Sequence, residues 1–376
     1  MKKLTKGLLY TAITFIVLTV ILYISPYRYL IKGISLTYLK GKTSANFYDK
    51  EDFYLRKVEK GTDTLLLPKS VYYNKVELTN ELKEMLTKTN AGSYIVLRDD
   101  SIIAEHYFND HSDTTASNSF SMAKSIITML VQIAIQDGKI KSWDEKAVTY
   151  LPWLTGPYAK ELTLRHLSTM TAGIEWTEKY KDPFSIMAKA YYSDDLDALM
   201  QSTPVVDKPG ETFKYQSGST QLLSMALRKA TGKSPAELAS DKLWKKIGME
   251  APAYWHLDKE NGTELCYCCF NSISRDFARL GILIEHNGMG IIDSNFMIQA
   301  RKPYKADHYG HSFWIADKTK DPFFFMHGFQ GQYIAVVPSQ KLIIVRTGAG
   351  QQRGELPTPE CIKLYVEESV KMVGRK

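Results

Sequence analysis

The stretch NSFSMAKSIITMLVQIAIQDGK, residues 118–139, constrains the fold more than any other part of the chain. From Ile126 onward it is almost wholly apolar, so a helix formed there has no face to offer to water and must be covered on every side. Gly138, just after Asp137, is placed to stop that helix. A lysine inside such a helix is costly unless something uses it. Lys124 stands three residues after Ser121, in the one S-x-x-K of the chain. At spacing i, i+3 the two side chains share a helix face, with Cβ atoms about 5–6 Å apart. Burial lowers the pKa of a lysine by removing the water that stabilises its charge. A neutral amine can accept the serine's proton and make Ser121 a nucleophile. In the first turn the Ser121 N–H also lies at the positive end of the helix dipole, where an oxyanion is stabilised. A serine cap followed by a lysine that snorkels to water has the same spacing.

The elements around this helix follow from periodicity. SYIVLRD and SIIAEHYF flank Asp99-Asp100 and predict a hairpin. Residues 149–288 read as mostly helical, in segments such as STQLLSMALRKATG and SRDFARLGILIEHNG that run to a glycine. Strands return in GHSFWIAD, DPFFFMH, GQYIAVVP and KLIIVRTG, and a last helix spans residues 358–373. The expected fold is α/β with an all-α region: one antiparallel sheet built from both chain ends, flanked by helices, with a helical insertion. The boundaries are residues 71–148 with 289–376 for the α/β domain, and 149–288 for the helical domain.

Residues 1–27 form a separate unit. Lys2, Lys3 and Lys6 precede GLLYTAITFIVLTVILYISPY, which carries no charge. As a helix it reaches roughly 30 Å, the thickness of a bilayer's hydrocarbon core. A cleaved signal peptide would have a shorter apolar stretch and end in small residues, whereas this one ends in Tyr-Ile-Ser-Pro-Tyr. The expectation is an uncleaved single-pass anchor with a cytoplasmic N-terminus and an exported catalytic domain, although Arg28 and Lys32 oppose that orientation. Residues 28–70 are weakly periodic and read as a juxtamembrane spacer.

The formal charge of +7 is spread along the chain, with no arginine-rich run or zinc-finger spacing, so no nucleic-acid partner is expected. Cys266, Cys268, Cys269 and Cys361 lack the C-x-x-C spacing of a structural zinc site and read as small buried residues. In an exported domain a disulfide to Cys361 is open, and sequence assigns no pairing. His308 and His311 read as exposed histidines leading into a strand rather than metal ligands. No metal and no cofactor is expected.

Two further motifs lie downstream of the serine: Tyr215-Gln216-Ser217 just before a helix, and His327-Gly328-Phe329 at the end of a strand. With Ser121-Met122-Ala123-Lys124 they stand in the order S-x-x-K, Y-x-N, K-T-G. The chain resembles the serine hydrolases of the β-lactamase and penicillin-binding-protein superfamily, on the class C side. That branch includes class C β-lactamases, D-alanyl carboxypeptidases, esterases and 6-aminohexanoate-dimer hydrolases. LTLRHLSTMTAGIEW, LWKKIGME and SRDFARLG are also similar to it, and the resemblance runs from about residue 90 to the end. It implies Ser121 as acyl-accepting nucleophile and Lys124 with Tyr215 as the proton-transfer pair, a neighbouring cation lowering the phenol's pKa. It also implies an oxyanion hole from the backbone N–H groups of Ser121 and Gln330, and substrate contacts at Ser217, His327 and Gly328. Three departures stand out. Ser217 replaces the motif's Asn, His327 and Gly328 replace Lys-Thr, and Phe329 replaces Gly and crowds the strand edge. A lysine at 327 would attract a substrate carboxylate, whereas an ordinary histidine is mostly neutral at pH 7. The expected substrate is a small molecule or peptide with an ester or amide bond. D-alanyl carboxypeptidase or β-lactamase activity, and a silent peptide or muropeptide receptor, are the alternatives.

Overall fold

The computed structural model describes residues 2–352 and 358–374. The N-terminal helix α1 spans Lys2–Ile24, and α2 follows at Tyr29–Leu36. Within α1, Thr5–Ile24 is long and apolar enough to cross a membrane, and none of it is buried in the protein. After strand β1 (Tyr54–Val58) and helix α3 (Asn80–Lys88) comes the expected hairpin, β2 (Ala91–Arg98) and β3 (Ser101–Tyr107). Its turn residues Asp99 and Asp100 have φ of 48° and 60°, the left-handed pair that a tight two-residue hairpin turn requires.

The two-residue strand β4 (Ser117–Asn118) leads through a 3₁₀ turn, Phe120–Met122, into helix α4, Ala123–Gln136. Every residue from Ala123 to Ala134 is buried, as an apolar-all-round helix demands. Strands β7 (Trp314–Ala316), β8 (Phe323–Gly328), β9 (Gln332–Val337) and β10 (Leu342–Gly348) close the chain before a final helix, Glu360–Gly374. The main sheet is antiparallel in the order β3-β2-β10-β9-β8-β7, so the first hairpin and the last strands share one sheet. Alternation sorts its side chains. Phe324, Met326, Ile334 and Val336 face the cluster around α4. Phe323, Phe325, Tyr333 and Val337 face the terminal helix through Ile362 and Tyr365.

Two expectations change. The single sheet is joined by a second, four-stranded one in the order β1-β5-β6-β4, using β5 (Ala253–Leu257) and β6 (Phe270–Ser272) from the region read as helical. Runs of three to five apolar residues carry too little periodicity to be told from helix. Residues 28–70 are also more than a spacer. β1 pairs with β5, Tyr54 opposite Leu257, and α2 lies on the helical region. Gly33 approaches the Tyr192 ring so closely that a Cβ would sit 3.2 Å from it, Tyr29 OH donates to Pro183 O at 3.1 Å, and Lys32 Nζ donates to Asp258 O at 2.8 Å.

Candidate active site

The turn into α4 is fixed from both sides. Phe120 has φ of 45°, a left-handed conformation unusual for a side chain of that bulk. Its N–H donates to Asn118 Oδ1 at 2.8 Å, and Asn118 Nδ2 donates to Asp49 Oδ1 at 2.9 Å. Asp49 is buried and also accepts from Tyr191 OH at 2.5 Å. A carboxylate from the supposed spacer thus braces the turn that presents Ser121.

Lys124 Nζ lies 2.8 Å from Ser121 Oγ and donates to the Tyr267 carbonyl at 2.7 Å. The lysine is 1% exposed, and burial lowers its pKa to about 7, with Glu178 pulling the other way. A large share is therefore neutral near pH 7 and able to take the serine's proton. Ser121 itself is half-buried.

The side chain of Tyr215 interacts with Ser121, and its ring centroid is 5.2 Å from Lys124 Nζ. Its pKa is raised, by burial first and then by Glu178. The sequence pointed the other way, to a phenol acidified by a cation. Burial that neutralises the lysine removes that cation, and the same burial penalises a phenolate. Tyr215 therefore stays protonated, and its ring is held by Trp314 at 5.4 Å and Tyr309 at 6.0 Å between ring centroids.

Ser217, at the start of helix Ser217–Thr231, gives its N–H to Glu178 Oε1 at 2.6 Å and its hydroxyl to Glu178 Oε2 at 3.0 Å. Glu178 also accepts from Trp176 Nε1 at 2.8 Å and from Tyr180 OH. No motif marked this carboxylate; the nearest signal was its place just past the family-like segment ending at Trp176. It leaves the Ser217 hydroxyl engaged inside the protein.

The third motif is also repurposed. Gly328 packs so closely on the 3₁₀ turn that a Cβ would lie 2.1 Å from Ser119 O; a threonine does not fit, and this position serves approach rather than substrate contact. His327 projects to the opposite face of β8. It stacks on Tyr333 at 4.9 Å, meets Gln351 Oε1 at 3.0 Å, and touches Trp314 at 5.8 Å. Gln330 follows with φ of 62°. Buried Arg346 holds this turn by donating from Nη1 to Gln330 O at 2.9 Å and Gly331 O at 2.7 Å, and Gln330 Nε2 donates to Ala45 O at 3.1 Å.

A cavity open at its mouth meets Ser121. Ser217, Tyr267, Cys268 and Phe329 line it, with residues of α2 opposite; His327 and Gly328 do not. Phe329 does not merely crowd the edge. It packs against Phe120 at 5.5 Å and Tyr180 at 5.4 Å, an aromatic collar over the serine.

All four cysteines are buried. Cys268 and Cys269 are disulfide-bonded to each other, and Cys361, considered as a partner, is a free thiol, as is Cys266. His311 is buried rather than exposed, paired with Ser168 Oγ at 2.8 Å, and burial lowers its pKa to about 3. Among the described residues, the group of carboxylates and histidine close enough to share a cation is Asp100, Glu285 and His286, outside this cavity.

The comparisons with known proteins agree with this geometry. The beta-lactamase family model matches residues 79–356. The 6-aminohexanoate-dimer hydrolase of Paenarthrobacter ureafaciens is 24% identical over 219 residues, 56% of this chain and 55% of that protein. The chain thus spans about half the length of the curated relatives it matches. Among solved structures, a Bacillus anthracis protein provisionally described as a 6-aminohexanoate-dimer hydrolase superposes with a TM-score of 0.75 at 22% identity, covering 93% of this chain and 95% of that one. A penicillin-binding protein from Bacillus halodurans superposes at 0.61 with 16% identity, over 76% of this chain and 99% of that one. The structural likenesses establish the shared fold, and the matched span is most of the chain: the protein belongs to the beta-lactamase family, whose members are serine hydrolases.

Proposed function

We propose that this chain is a membrane-anchored serine hydrolase that opens an ester or amide through an acyl-enzyme on Ser121. The observation that carries the reading is a buried lysine with its pKa lowered to about 7, placed 2.8 Å from a half-buried serine hydroxyl. Neutral Lys124 takes the Ser121 proton as Oγ adds to the substrate carbonyl. The oxyanion is received by the N–H groups of Ser121 and Gln330. As the tetrahedral intermediate collapses, Tyr215 passes its hydroxyl proton to the leaving group and is reprotonated from the Lys124 ammonium. Water then repeats the sequence on the acyl-enzyme, with neutral Lys124 as base, and Ser121 is regenerated. The catalysis asks for no metal or cofactor.

The polar environment favours uncharged substrates. Glu178 stands beside Ser217, and His327 is turned away from the cavity where the motif's lysine would attract a carboxylate. The name of the curated relative, a hydrolase of a 6-aminohexanoate dimer, is compatible with a linear amide. Anchoring rests on the length and apolarity of Thr5–Ile24, and an exported catalytic domain is the orientation we assign.

The test is intact-mass measurement of the full-length protein after a fluorophosphonate, a neutral ester, a D-alanyl-D-alanine peptide and a penicillin. Labelling by the fluorophosphonate and the ester, lost in Ser121→Ala, is expected. Faster acylation by penicillin or peptide would replace this reading with a cell-wall one. A folded protein that takes no label would be a receptor.

A further inference from the structure

One wall of the cavity at Ser121 comes from outside the stretch that the family model matches. The matched region begins at residue 79, yet Leu30, Ile34 and Tyr38 on and just after α2, with Ala45, line the cavity opposite Phe120 and Phe329. Lys181 and Asp182 are the charged side chains in the lining, and they are of opposite sign. The remainder is mostly aliphatic or aromatic, with the hydroxyls of Ser, Thr and Tyr side chains among it. α2 starts five residues after the exposed apolar helix ends; Ile34 and Tyr38 in the lining are exposed, as are Tyr27 and Leu39 just before and just after α2 and Phe184, whose ring meets that of Tyr27 at 5.9 Å.

We propose that this cavity is an acyl-chain site, and that residues 30–45 select neutral esters or amides of medium- to long-chain aliphatic acids presented from a lipid phase. The inference rests on Ser121 being the nucleophile. In an acyl-enzyme the leaving group departs after the first step, whereas the acyl group stays bonded to Oγ through both. An apolar cavity that meets Oγ therefore serves the acyl half. Filling it rewards each methylene removed from water, and the reward ends where the cavity is full. Exposed apolar side chains on and beside α2, which follows α1 in the chain, offer an acyl chain from a lipid phase a place to enter.

The experiment uses the full-length protein in lipid nanodiscs and 4-nitrophenyl esters from acetate to octanoate. kcat/KM is expected to rise about three- to fourfold per methylene until it levels off. Lengthening the alcohol instead, in alkyl acetates, is expected to give a much shallower rise. Ile34→Arg and Ile34→Trp, one placing a charge in the wall and the other narrowing it, are each expected to lower the octanoate-to-acetate ratio at least tenfold. Ile34 lies on an exposed helix face, and because the readout is a ratio within one turning-over protein, it is insensitive to a partly unfolded fraction. A flat acyl series, a steeper alcohol series, or ratios unchanged in both variants would overturn the acyl-chain site while leaving the serine hydrolase intact. Loss of the underlying reading looks different: turnover of acetate would then survive Ser121→Ala.

Discussion

Two helices in this molecule are almost wholly apolar, and they end up in opposite surroundings. α4 is enclosed by protein from Ala123 to Ala134, whereas none of Thr5–Ile24 in α1 is buried. Their polar side chains tell the same story. In α4, Ser125 Oγ donates to Ser312 O at 2.6 Å, Thr128 Oγ1 meets Ser312 Oγ at 2.8 Å, and Trp143 Nε1 donates to a Gln132 oxygen at 2.8 Å, all from other elements. In α1, Thr11 and Thr19 bond the carbonyls of Gly7 and Phe15, four residues back on the same helix, at 3.1 and 2.9 Å. Threonine hydroxyls that bond carbonyls of their own helix suit hydrocarbon. A helix whose polar groups all reach outward is specified for one protein environment, and there a lysine can be stripped of its charge and used.

The sharpest way to break the comparison is to make α4 as apolar as α1. Lys124→Met should lower kcat/KM for any acylating ester by about 10²–10⁴-fold, the range for losing a positioned proton-transfer group. The same change should stabilise the fold. In the unfolded chain a lysine stays protonated up to about pH 10.4, but in the folded protein Lys124 releases its proton near pH 7. Folding at or below pH 7 thus carries the full penalty of the lowered pKa, and the penalty fades as pH rises toward 10. Methionine removes it, at the cost of leaving the Tyr267 carbonyl and Ser121 without their partner. The net gain at pH 7 should be about 1–4 kcal/mol, shrinking toward pH 10. Urea unfolding of both proteins at the two pH values measures it, and a variant less stable at both would show that the amine's hydrogen bonds outweigh its burial.

A smaller effect tests the charge that opposes this burial. Glu178 holds the Lys124 pKa higher than burial alone would. In Glu178→Gln the acid limb of the kcat/KM profile should move to lower pH, and activity near pH 6 should exceed that of the wild type by about two- to fivefold, the scale of one charge across a partly solvated site. A limb that stays in place would remove Glu178 from the electrostatics of the serine and leave it a brace for Ser217.

What could be read in advance divides along the same line as the helices. α4, the hairpin and strands β8, β9 and β10 repeat their pattern over six or more residues or carry a specific turn, and they were legible. So was the pairing of Ser121 with Lys124, because a helix fixes what i and i+3 can touch. Whatever depended on contacts distant in sequence was not. The direction of the Tyr215 shift follows from whether Lys124 is charged, which is a fact about burial. Gly328 read as a substrate contact, and only the folded chain sets Ser119 O against it. Glu178 and Asp49 are ordinary acids in sequence, and only the folded chain brings one to Ser217 and the other to Asn118. Tyr29 and Gly33 in α2 and Thr37 just after it, at spacing i, i+4, i+8, are buried; that stripe was visible, but eight residues beside a stronger apolar run were too few to stand out.

The smallest expected effect sharpens the comparison most. If α1 is specified for lipid and contributes nothing to the protein's interior, deleting residues 1–24 should change the catalytic unit hardly at all. α2 begins at Tyr29 and keeps its contacts to Tyr192, Pro183 and Asp258, and Asp49 keeps its hold on Asn118. The truncated chain should leave the membrane fraction, melt within about 2 °C of the full-length protein, as expected for removal of surface contacts worth under about 0.5 kcal/mol, and turn over a water-soluble acetate ester within about twofold of the original rate. Deletion through residue 45 should behave differently, because it removes the wall facing Ser121 and the carbonyl of Ala45 that receives Gln330. A shorter deletion that melts normally yet loses acetate turnover tenfold would mean that α1 holds α2 in position, and that the two apolar helices both belong to the working protein.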